Sequence, residues 1–469
     1  MADMIDAPEL EDAAPPSHDE ENRLTDEFVR LVSEAVEDGD TNLAQELVNP
    51  LHTADIADLF ELIDDDERAP LASALGDLVS ADVLSEMNEH VREELIDVLD
   101  PGQIADLTEQ LETDDAVSII EDLRKDEQLA VLAELEPEDR AAIESALTYP
   151  EETAGRIMQR DLVAVPEHMN VGQLIDYLRV HDDLTTEFWE VYVVDPSHKP
   201  VGTCQLSWIL RVPRDIAVAD IMKREQTLIP VDMDQEEVAL RFQKYNLISA
   251  AVVNEDGRLI GMITVDDILH IIENEASEDV LLMSGAGEGD INEPISDSYR
   301  ARVRWLIANL GTAIVVSAVI SIFGAAIEQM VALAILMPIV ASIGGNAGTQ
   351  TMAVSVRALA MNELTRSNTR RIIGREFRVA LLNGGTIAAL VGIGTGLVFG
   401  NPMLGGVIAS AMLINIVVAG FAGIMVPVTL ERIKQDPALA SSVFVTMITD
   451  TIGFLAFLGL AVVSGLVSI

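Results

Sequence analysis

The sequence predicts a multidomain protein: an all-α superhelical (solenoid) domain and an α/β tandem repeat precede an α-helical membrane domain with five transmembrane helices. Three observations predict this fold class, namely uneven charge along the chain, a 24-residue repeat in its acidic part, and long uncharged runs near its end. Residues 299–469 hold 11 basic and 6 acidic residues, whereas residues 1–298 hold 18 and 73. Two physically different parts are therefore joined in one chain of 469 residues.

The membrane domain, residues 305–469, is predicted from its uncharged runs. A span needs about 20 apolar residues, and the 52 uncharged residues 379–430 are long enough for two spans with a turn at Gly400-Asn401-Pro402. The five predicted spans are about 305–327, 330–356, 379–400, 403–430 and 438–466. All 11 basic residues of this part fall on one side of the spans, which the positive-inside rule makes cytoplasmic. We therefore expect a multi-pass protein of the cell (inner or plasma) membrane, with a cytoplasmic N-terminus and an extracytoplasmic C-terminus.

The acidic half begins with a polar tail, residues 1–22, which we expect to be disordered. A helical-repeat domain is predicted over residues 23–150, where Ile56-Ala57-Asp58-Leu59 recurs 48 residues later as Ile104-Ala105-Asp106-Leu107. Each 24-residue unit has the pattern of two short amphipathic helices joined at a turn, and stacked units of this kind form a solenoid. The surplus of acids repels nucleic-acid phosphates, so no nucleic-acid partner is expected, and it attracts cations.

Residues 151–213 and 214–283 form two similar halves of short apolar strands and helices, each opening with an Ile-Met pair (Ile157-Met158 and Ile221-Met222). This pattern resembles a tandem CBS pair. In nucleotide-binding CBS domains a Thr and an Asp contact phosphate and ribose, and Thr264 and Asp267 match them. The resemblance implies binding of an adenine nucleotide such as ATP, and the alternative is a purely structural pair. The first half has Gln205 and Trp208 at the matching positions, which predicts a degenerate site there.

Two features of the spans predict a conduction path. The second span contains a Pro, three Gly and two amides, which favour an irregular segment lining a water-filled cavity, although close helix packing through small residues is the alternative. The candidate pore-lining residues are Pro338, Gly344, Gly345, Asn346, Gly348, Gln350, Asn415, Thr446 and Thr449. Asp450 is the only charge of the fifth span, and an unpaired carboxylate at mid-bilayer costs on the order of 3 kcal/mol.

The residue chemistry indicates which ion Asp450 would bind. No His or Cys lies in residues 299–469, so a site for soft metals is disfavoured. Mg²⁺ prefers oxygen ligands and is commonly held by one or two carboxylates while keeping several waters. The residues therefore predict a hard, hydrated divalent cation.

The order of parts, together with Ala301-Arg302-Val303-Arg304-Trp305-Leu306, the segment 344–350, Asp436-Pro437-Ala438 and Thr449-Asp450, resembles the MgtE-type magnesium transporter family. The resemblance implies a homodimeric, Mg²⁺-selective channel or transporter for magnesium uptake, with Asp450 in the pore. It also implies that intracellular Mg²⁺ gates the pore and that a plug helix lies in the linker 284–304. The implied sensing acids are Asp266, Asp267, Glu275, Glu278 and Asp279.

Two other functions stay open on the sequence. One is transport or exchange of another hard divalent cation, such as Co²⁺ or Ca²⁺. The other is a membrane receptor that reads a nucleotide through the CBS pair and transports nothing. An enzyme is not expected, because we find no nucleophile–base pair, Walker loop or metal-hydrolase motif.

Overall fold

The computed structural model describes residues 15–97, 99–180, 188–285, 292, 294–365, 367–439 and 441–467. The chain divides into two compact units, Met1–Ile272 and Glu273–Ile469. Residues 1–14 of the tail expected to be disordered, and most of the segment between 285 and 295, lie outside the described residues. Residues 15–22 have irregular backbone, with an isolated bridge between His18 and Leu24.

The first unit begins with a helical domain whose repeat is the one that the sequence predicts. Its helices are α1 (Asp26–Glu37), α2 (Thr41–Val48), α3 (Thr53–Leu62), α4 (Asp65–Leu75), α5 (Ala81–Glu86), α6 (Glu89–Ile96), α7 (Pro101–Thr108), α8 (Thr113–Asp122), α9 (Lys125–Glu134) and α10 (Pro137–Ala146). Asp100 begins α7 because its carboxylate accepts hydrogen bonds from the Gly102 and Gln103 amides at 3.0 Å, and the Gln103 side chain returns a bond to Asp100. This reciprocal cap is a common helix start.

Two buried arginines, one repeat apart, join alternate helices, α4 to α6 and α6 to α8. Arg68 Nη1 lies 2.7 Å from Glu94 Oε2, and Arg92 Nη2 lies 2.5 Å from Asp122 Oδ2. Arg68 is 2% exposed and Arg92 is 6% exposed. The positions 68 and 92 are 24 residues apart, so the repeat governs polar as well as apolar contacts.

The CBS pair follows as two three-stranded sheets. Its elements are β1 (Ala164–Pro166), α11 (Val171–Val180), β2 (Glu190–Val194), β3 (Pro200–Gln205), α12 (Leu206–Ile209), α13 (Val218–Ile221), β4 (Leu228–Pro230), α14 (Gln235–Tyr245), β5 (Ser249–Val253), β6 (Leu259–Thr264) and α15 (Val265–Ser284). In each sheet the first strand is parallel to the middle strand, and the last strand is antiparallel to it.

The segments around the two Ile-Met pairs connect the CBS halves, because each pairs with a strand of the other half. Gln159, just after the first pair, bridges to β6 of the second half, and Lys223, just after the second pair, bridges to β3 of the first half. A Cβ at Gly261 would lie 2.7 Å from the Met158 sulfur, so only glycine leaves room for that methionine. The same relation holds between Gly202 and Met222 at 2.8 Å.

The second unit holds the membrane helices. They are α16 (Ile295–Ser321), the short α17 (Gly324–Gln329), α18 (Val331–Ala360), α19 (Thr369–Val398), α20 (Pro402–Arg432) and α21 (Ser441–Val463). Among the described residues, five helices are long and apolar enough to cross a membrane, with mean hydropathies from 1.6 to 2.3. They are α16, α18, α19, α20 and α21, whereas α17 is too short. Helix α20 is the most buried and packs against α18, α19 and α21.

The start of the first membrane helix differs from the predicted span. Residues 295–304, the part of the linker 284–304 where the plug helix was expected, are helical and form the first turns of α16, which continues unbroken to Ser321. The turn before α20 lies where predicted: Gly400 has a φ of +60°, and the Asn401 side chain accepts bonds from the Met403 and Leu404 amides at 3.0 and 3.2 Å.

Candidate functional site

Asp450 is half-buried on α21, nine residues after the helix begins, or about 14 Å along it at 1.5 Å per residue. Among the described residues its carboxylate has no hydrogen-bond or ion-pair partner. Thr449 beside it is fully buried, and its hydroxyl donates to the Thr446 carbonyl at 3.0 Å. Thr446 itself is exposed. Helix α21 therefore presents an unneutralised carboxylate at membrane depth.

The glycine-rich segment of α18 is regular helix, not the irregular backbone that we expected. Helix α18 runs through Pro338 and residues 344–350 without a break. Gly348 packs on α21, where an added Cβ would lie 2.6 Å from Val445 and 3.4 Å from Thr449. Asn346 and Gln350 are exposed. One side of the segment thus makes the close helix packing that was the alternative interpretation, and the other side leaves two amides accessible.

The other predicted pore-lining residues of the second unit divide in the same way. Pro338 is exposed, and Gly345 has nothing within 4 Å of where a side chain would begin. Gly344 and Asn415 are buried against each other. Asn415 therefore lies inside the helix packing in this structure.

A cavity of about 260 Å³ lies among α18, α19 and α20. Its polar lining includes Gln350, Thr351, Glu376 and Asn383. Arg375 Nη1 contacts Glu376 Oε1 at 2.6 Å, and the Glu376 side chain is 12% exposed. Of the predicted pore-lining residues only Gln350 reaches this cavity. The amide, hydroxyl and carboxylate oxygens that line the cavity are of the type that hard cations prefer.

A second group of carboxyls lies in the first unit, where the helical domain meets the CBS pair. Asp267 accepts a 2.6 Å hydrogen bond from the Thr264 hydroxyl. The two residues predicted to bind a nucleotide are therefore hydrogen-bonded to each other. Facing it from α8 and its N-cap are Glu112 and Asp114, and Gln159 donates a hydrogen bond to Glu112. Asp114 Oδ1 is buried without a hydrogen-bond partner among the described residues.

The pKa values of these carboxyls are raised, so their charged forms are disfavoured in the folded protein. Burial first, and then the Asp267 charge, raises the pKa of Glu112 to about 7 and that of Asp115 to about 6. The same causes raise the pKa of Asp114 well above its usual range. Burial raises the pKa of Asp267, against the Thr264 hydrogen bond that lowers it. Burial and mutual repulsion therefore favour the protonated form of these carboxyls.

Glu112, Asp114 and Asp115 were not predicted from the sequence. Acids also occupy the equivalent positions of two other repeats, 64, 66 and 67 and 136, 138 and 139. Nothing in the repeat therefore distinguishes the copy that meets the CBS pair.

The remaining predicted sensing acids lie on α15. Glu275, Glu278 and Asp279 belong to the second unit, whereas Asp266 and Asp267 belong to the first. Burial, and then the charge of Asp436 in the α20–α21 connection, raises the pKa of Asp279. Among the described residues no three acidic, His or Cys side chains converge as they would around one metal ion.

The end of α15 reaches the membrane helices. Leu282 and Met283 pack against Met352, Val356 and Val445, on α18 and α21. Asp279 therefore lies one helical turn from a contact with two of the membrane helices.

A larger cavity, of about 490 Å³, lies between the two CBS halves. Its lining includes Tyr192, Thr203, Gln205, Lys223 and Tyr245. Thr264 and Asp267 do not line it. Of the two residues at the predicted degenerate site, Gln205 lines this cavity and Trp208 does not.

These features define a class: a multi-pass membrane protein whose five spans follow a helical-repeat domain and a CBS pair, with an unpaired carboxylate in the last span. Family models match three parts of the chain. Residues 51–152 match the MgtE intracellular N domain, residues 218–274 the CBS domain, and residues 337–460 the divalent cation transporter domain called MgtE.

Known proteins agree with these matches. The chain is 32% identical over 437 residues to the magnesium transporter MgtE of Thermus thermophilus, covering 92% of this chain and 97% of that protein. It is 32% identical over 322 residues to the magnesium transporter MgtE of Bacillus subtilis, covering 68% and 71%. A crystal structure of the cytosolic domain of the Mg²⁺ channel MgtE in complex with ATP matches 52% of this chain and 99% of that chain, at 29% identity and a TM-score of 0.48. The chain belongs to the MgtE family of magnesium transporters and not to an enzyme family.

Proposed function

We propose that the protein is a Mg²⁺-selective channel or transporter that mediates magnesium uptake and is gated by intracellular Mg²⁺. The observation that carries this proposal is Asp450, a half-buried carboxylate without a partner among the described residues, within the last membrane helix. A carboxylate at that depth is stabilised by a cation or by water. Relatives that match the chain at 32% identity are magnesium transporters.

Selectivity for Mg²⁺ over softer ions follows from the available ligands. Apart from arginine, whose positive charge repels a metal ion, the polar side chains in the membrane helices are mainly carboxylate, amide and hydroxyl groups, and residues 299–469 contain no His or Cys. One carboxylate per chain suits an ion that keeps its waters. In the homodimer that we propose, two Asp450 side chains face one axis and share the hydrated ion, and the accessible Asn346, Gln350 and Thr446 line the water-filled path.

Gating is assigned to the acidic groups of both units. At low Mg²⁺ the ionised fraction of Glu112, Asp114 and Asp267 is repulsive and loosens the contact between the helical domain and the CBS pair, and the remaining carboxyls hold protons. At high Mg²⁺ the ion replaces protons in this group and holds the contact closed. Asp279 and Asp436, with Glu275 and Glu278 on the same helix, provide a second place where the ion joins α15 to the α20–α21 connection. The ion must bind the closed state more tightly for this to work.

Membrane orientation is part of the same proposal. The regulatory domains must lie in the cytoplasm to sense intracellular Mg²⁺, and the basic residues in and next to the α18–α19 and α20–α21 connections favour that side. The C-terminus is then extracytoplasmic.

A second candidate function is binding of an adenine nucleotide such as ATP by the CBS pair. The observation that favours it is the 490 Å³ cavity, where Tyr192 and Tyr245 offer ring surfaces and Lys223 offers a cation for phosphate. We place the nucleotide there and not at Thr264 and Asp267, because Glu112 and Asp114 face that pair and repel phosphate. A Lys223→Ala variant should lose ATP binding, measured by calorimetry, and a Thr264→Ala variant should keep it.

The test of transport is Mg²⁺ uptake into proteoliposomes with the internal Mg²⁺ concentration varied. We expect uptake in the wild type, suppression by internal Mg²⁺, and loss of uptake in Asp450→Asn. Competition by Co²⁺ and Ca²⁺, and dependence on a Na⁺ or H⁺ gradient, separate a Mg²⁺ channel from a carrier of another ion or an exchanger. Absence of uptake with confirmed reconstitution would favour the nucleotide receptor.

A further inference from the structure

The Asn415 side chain joins three membrane helices at one point. It lies on α20 and is fully buried, and its Nδ2 donates a 3.0 Å hydrogen bond to the Val340 carbonyl of α18. A Cβ added at Gly344 of α18 would clash with the Asn415 amide. A Cβ added at Gly453 of α21 would lie 2.6 Å from Asn415 Nδ2. Two glycines from two different helices therefore make the space that this amide fills.

The three contacts of Asn415 lie beside the residues of the conduction path. Gly453 is three residues after Asp450, so both lie on neighbouring positions of the same side of α21. Gly344 begins the glycine-rich segment of α18. Asn415 thus bonds α18 at the Val340 carbonyl and touches α21 one turn from its carboxylate.

Packing alone does not explain an amide at this position. Asn415 Oδ1 is buried without a hydrogen-bond partner among the described residues, and buried polar atoms are normally paired. A leucine has the same branching and number of side-chain heavy atoms, is somewhat larger, and would leave no oxygen unpaired. The bond that leucine could not make is the one from Nδ2 to Val340.

We propose that Asn415 is a positioning residue that fixes the Asp450 turn of α21 against the glycine-rich turn of α18 and so sets the ion preference of the path. Asn415 is buried and acts through Asp450, not on the ion itself. The inference rests on the proposed transport function, in which Asp450 binds the ion. The hydrogen bond to Val340 and the Gly344 contact fix the Asn415 amide against α18, and the Gly453 contact fixes it against α21. A change at any of the three therefore moves the Asp450 turn of α21 relative to α18.

The chain offers matched pairs of variants for the test. Gly453→Ala and Gly344→Ala press on the Asn415 amide, whereas Gly459→Ala on α21 and Gly406→Ala on α20 meet nothing within 4 Å. Asn415→Leu removes the hydrogen bond and keeps most of the volume. Each variant is purified at full length and reconstituted, and uptake is measured over a range of Mg²⁺ concentrations with Ca²⁺ as competitor.

We expect Asn415→Leu and Gly453→Ala to change the Mg²⁺-to-Ca²⁺ preference by about tenfold, since a displacement of about 1 Å at a reacting group can change rates by about 100-fold. The two control glycine variants should keep the wild-type preference. A merely structural role would lower the maximal uptake of both ions equally and leave their ratio and the half-saturating Mg²⁺ concentration unchanged. That result in Asn415→Leu would overturn the inference.

A double variant keeps the test decisive if Gly344→Ala alone does not fold. Gly344→Ala combined with Asn415→Ala removes the clash without restoring the hydrogen bond, so it should fold and still show the altered preference. Wild-type preference in the double variant would show that only volume matters there. If the wild type takes up no Mg²⁺, or Asp450→Asn takes it up normally, the proposed function itself fails, which is a different result from a failure confined to the Asn415 variants.

Discussion

Arg92 and Arg140 occupy equivalent positions two repeats apart, yet their ion pairs differ in burial. The Arg92 and Asp122 side chains are 8% and 10% exposed, whereas those of Arg140 and Glu144 are 45% and 48% exposed. Removing one partner of a buried pair leaves an uncompensated charge, which costs about 3–5 kcal/mol, while an exposed pair contributes about 0–1 kcal/mol. The repeat thus contains its own matched control.

We therefore expect Arg92→Ala to destabilise the α6–α8 contact by about 3 kcal/mol or more, and Arg140→Ala to change its contact by less than about 1 kcal/mol. Hydrogen exchange of the α6, α8 and α10 amides in the full-length protein measures both. A double variant, Arg92→Met with Asp122→Leu, removes both charges and should recover most of the lost protection. Equal effects of the two single variants would contradict this account of the buried pair.

The acids between the helical domain and the CBS pair give a pH dependence with a definite sign. The pKa of Glu112 is raised to about 7 in the folded protein, so its carboxyl favours the folded contact when protonated, and this contribution is lost as the pH rises from about 4 to about 7. Mg²⁺ competes with those protons. Binding of Mg²⁺ at pH 6.5 should therefore release protons, and the release should be smaller at pH 8.5.

Proton release can be measured by titrating Mg²⁺ into the full-length protein in weakly buffered solution. Glu112→Gln combined with Asp114→Asn should abolish most of the pH-dependent part, whereas Asp106→Asn, which removes an exposed acid of the same domain, should not. Unchanged proton release in the double variant would remove this group from the sensing mechanism.

Among the membrane helices, glycines define which faces can approach closely. Gly405 on α20 faces the backbone of Gly392 on α19, and an added Cβ would clash with the Gly392 carbonyl oxygen. The adjacent Gly406 meets nothing within 4 Å. Overpacking costs about 1–3 kcal/mol, whereas replacing an exposed helical Gly by Ala favours the helix by about 1 kcal/mol.

Gly405→Ala should accordingly lower the thermal stability of the detergent-solubilised protein, and Gly406→Ala should leave it unchanged or raise it. Both substitutions add the same methyl group to the same helix, so the comparison isolates the contact with α19. A lower stability in Gly406→Ala alone would indicate that a different face of α20 is packed.

The elements that could be predicted from the sequence are those with a strong local pattern, either a long run without charge or a regular repeat. The five membrane helices follow from runs without charge, and the helical repeat follows from its 24-residue period. The start of α16 was missed because Arg300, Arg302 and Arg304 end the apolar run, although arginine is a good helix former. The break expected in α18 is absent because α20 and α21 pack closely on its glycines, and a single sequence does not show which helices are neighbours.

The part of the candidate site that could be predicted is the part marked by a charged residue within an apolar membrane span. Asp450 is identifiable as the only charge of its span. Glu112 and Asp114 are not, because their function depends on a contact with Asp267, and many other acids of the domain have the same sequence context. The role of Asn415 likewise depends on three helices meeting at one amide, and the amide alone reveals nothing of that contact.

At the scale of the whole molecule, the distribution of charge predicts which side of the membrane each connection between the spans faces. The connections assigned to the outer face hold one charged residue, Glu328, while those assigned to the inner face hold all 11 basic residues of residues 299–469. Because the single native thiol, Cys204, is buried, a Cys204→Ala background gives a chain without cysteine into which one reporter at a time can be placed.

In that background we expect Glu328→Cys to react with a membrane-impermeant maleimide on intact cells and Gln435→Cys to react only after the membrane is permeabilised. Both positions are exposed in the structure, so a difference in labelling reports sidedness and not burial. Labelling in the presence of detergent provides the control for reactivity at each site. The reverse pattern would place the acidic domains outside the cell, where they could not sense intracellular Mg²⁺, and the proposed gating would then be wrong even if Asp450 carries the ion.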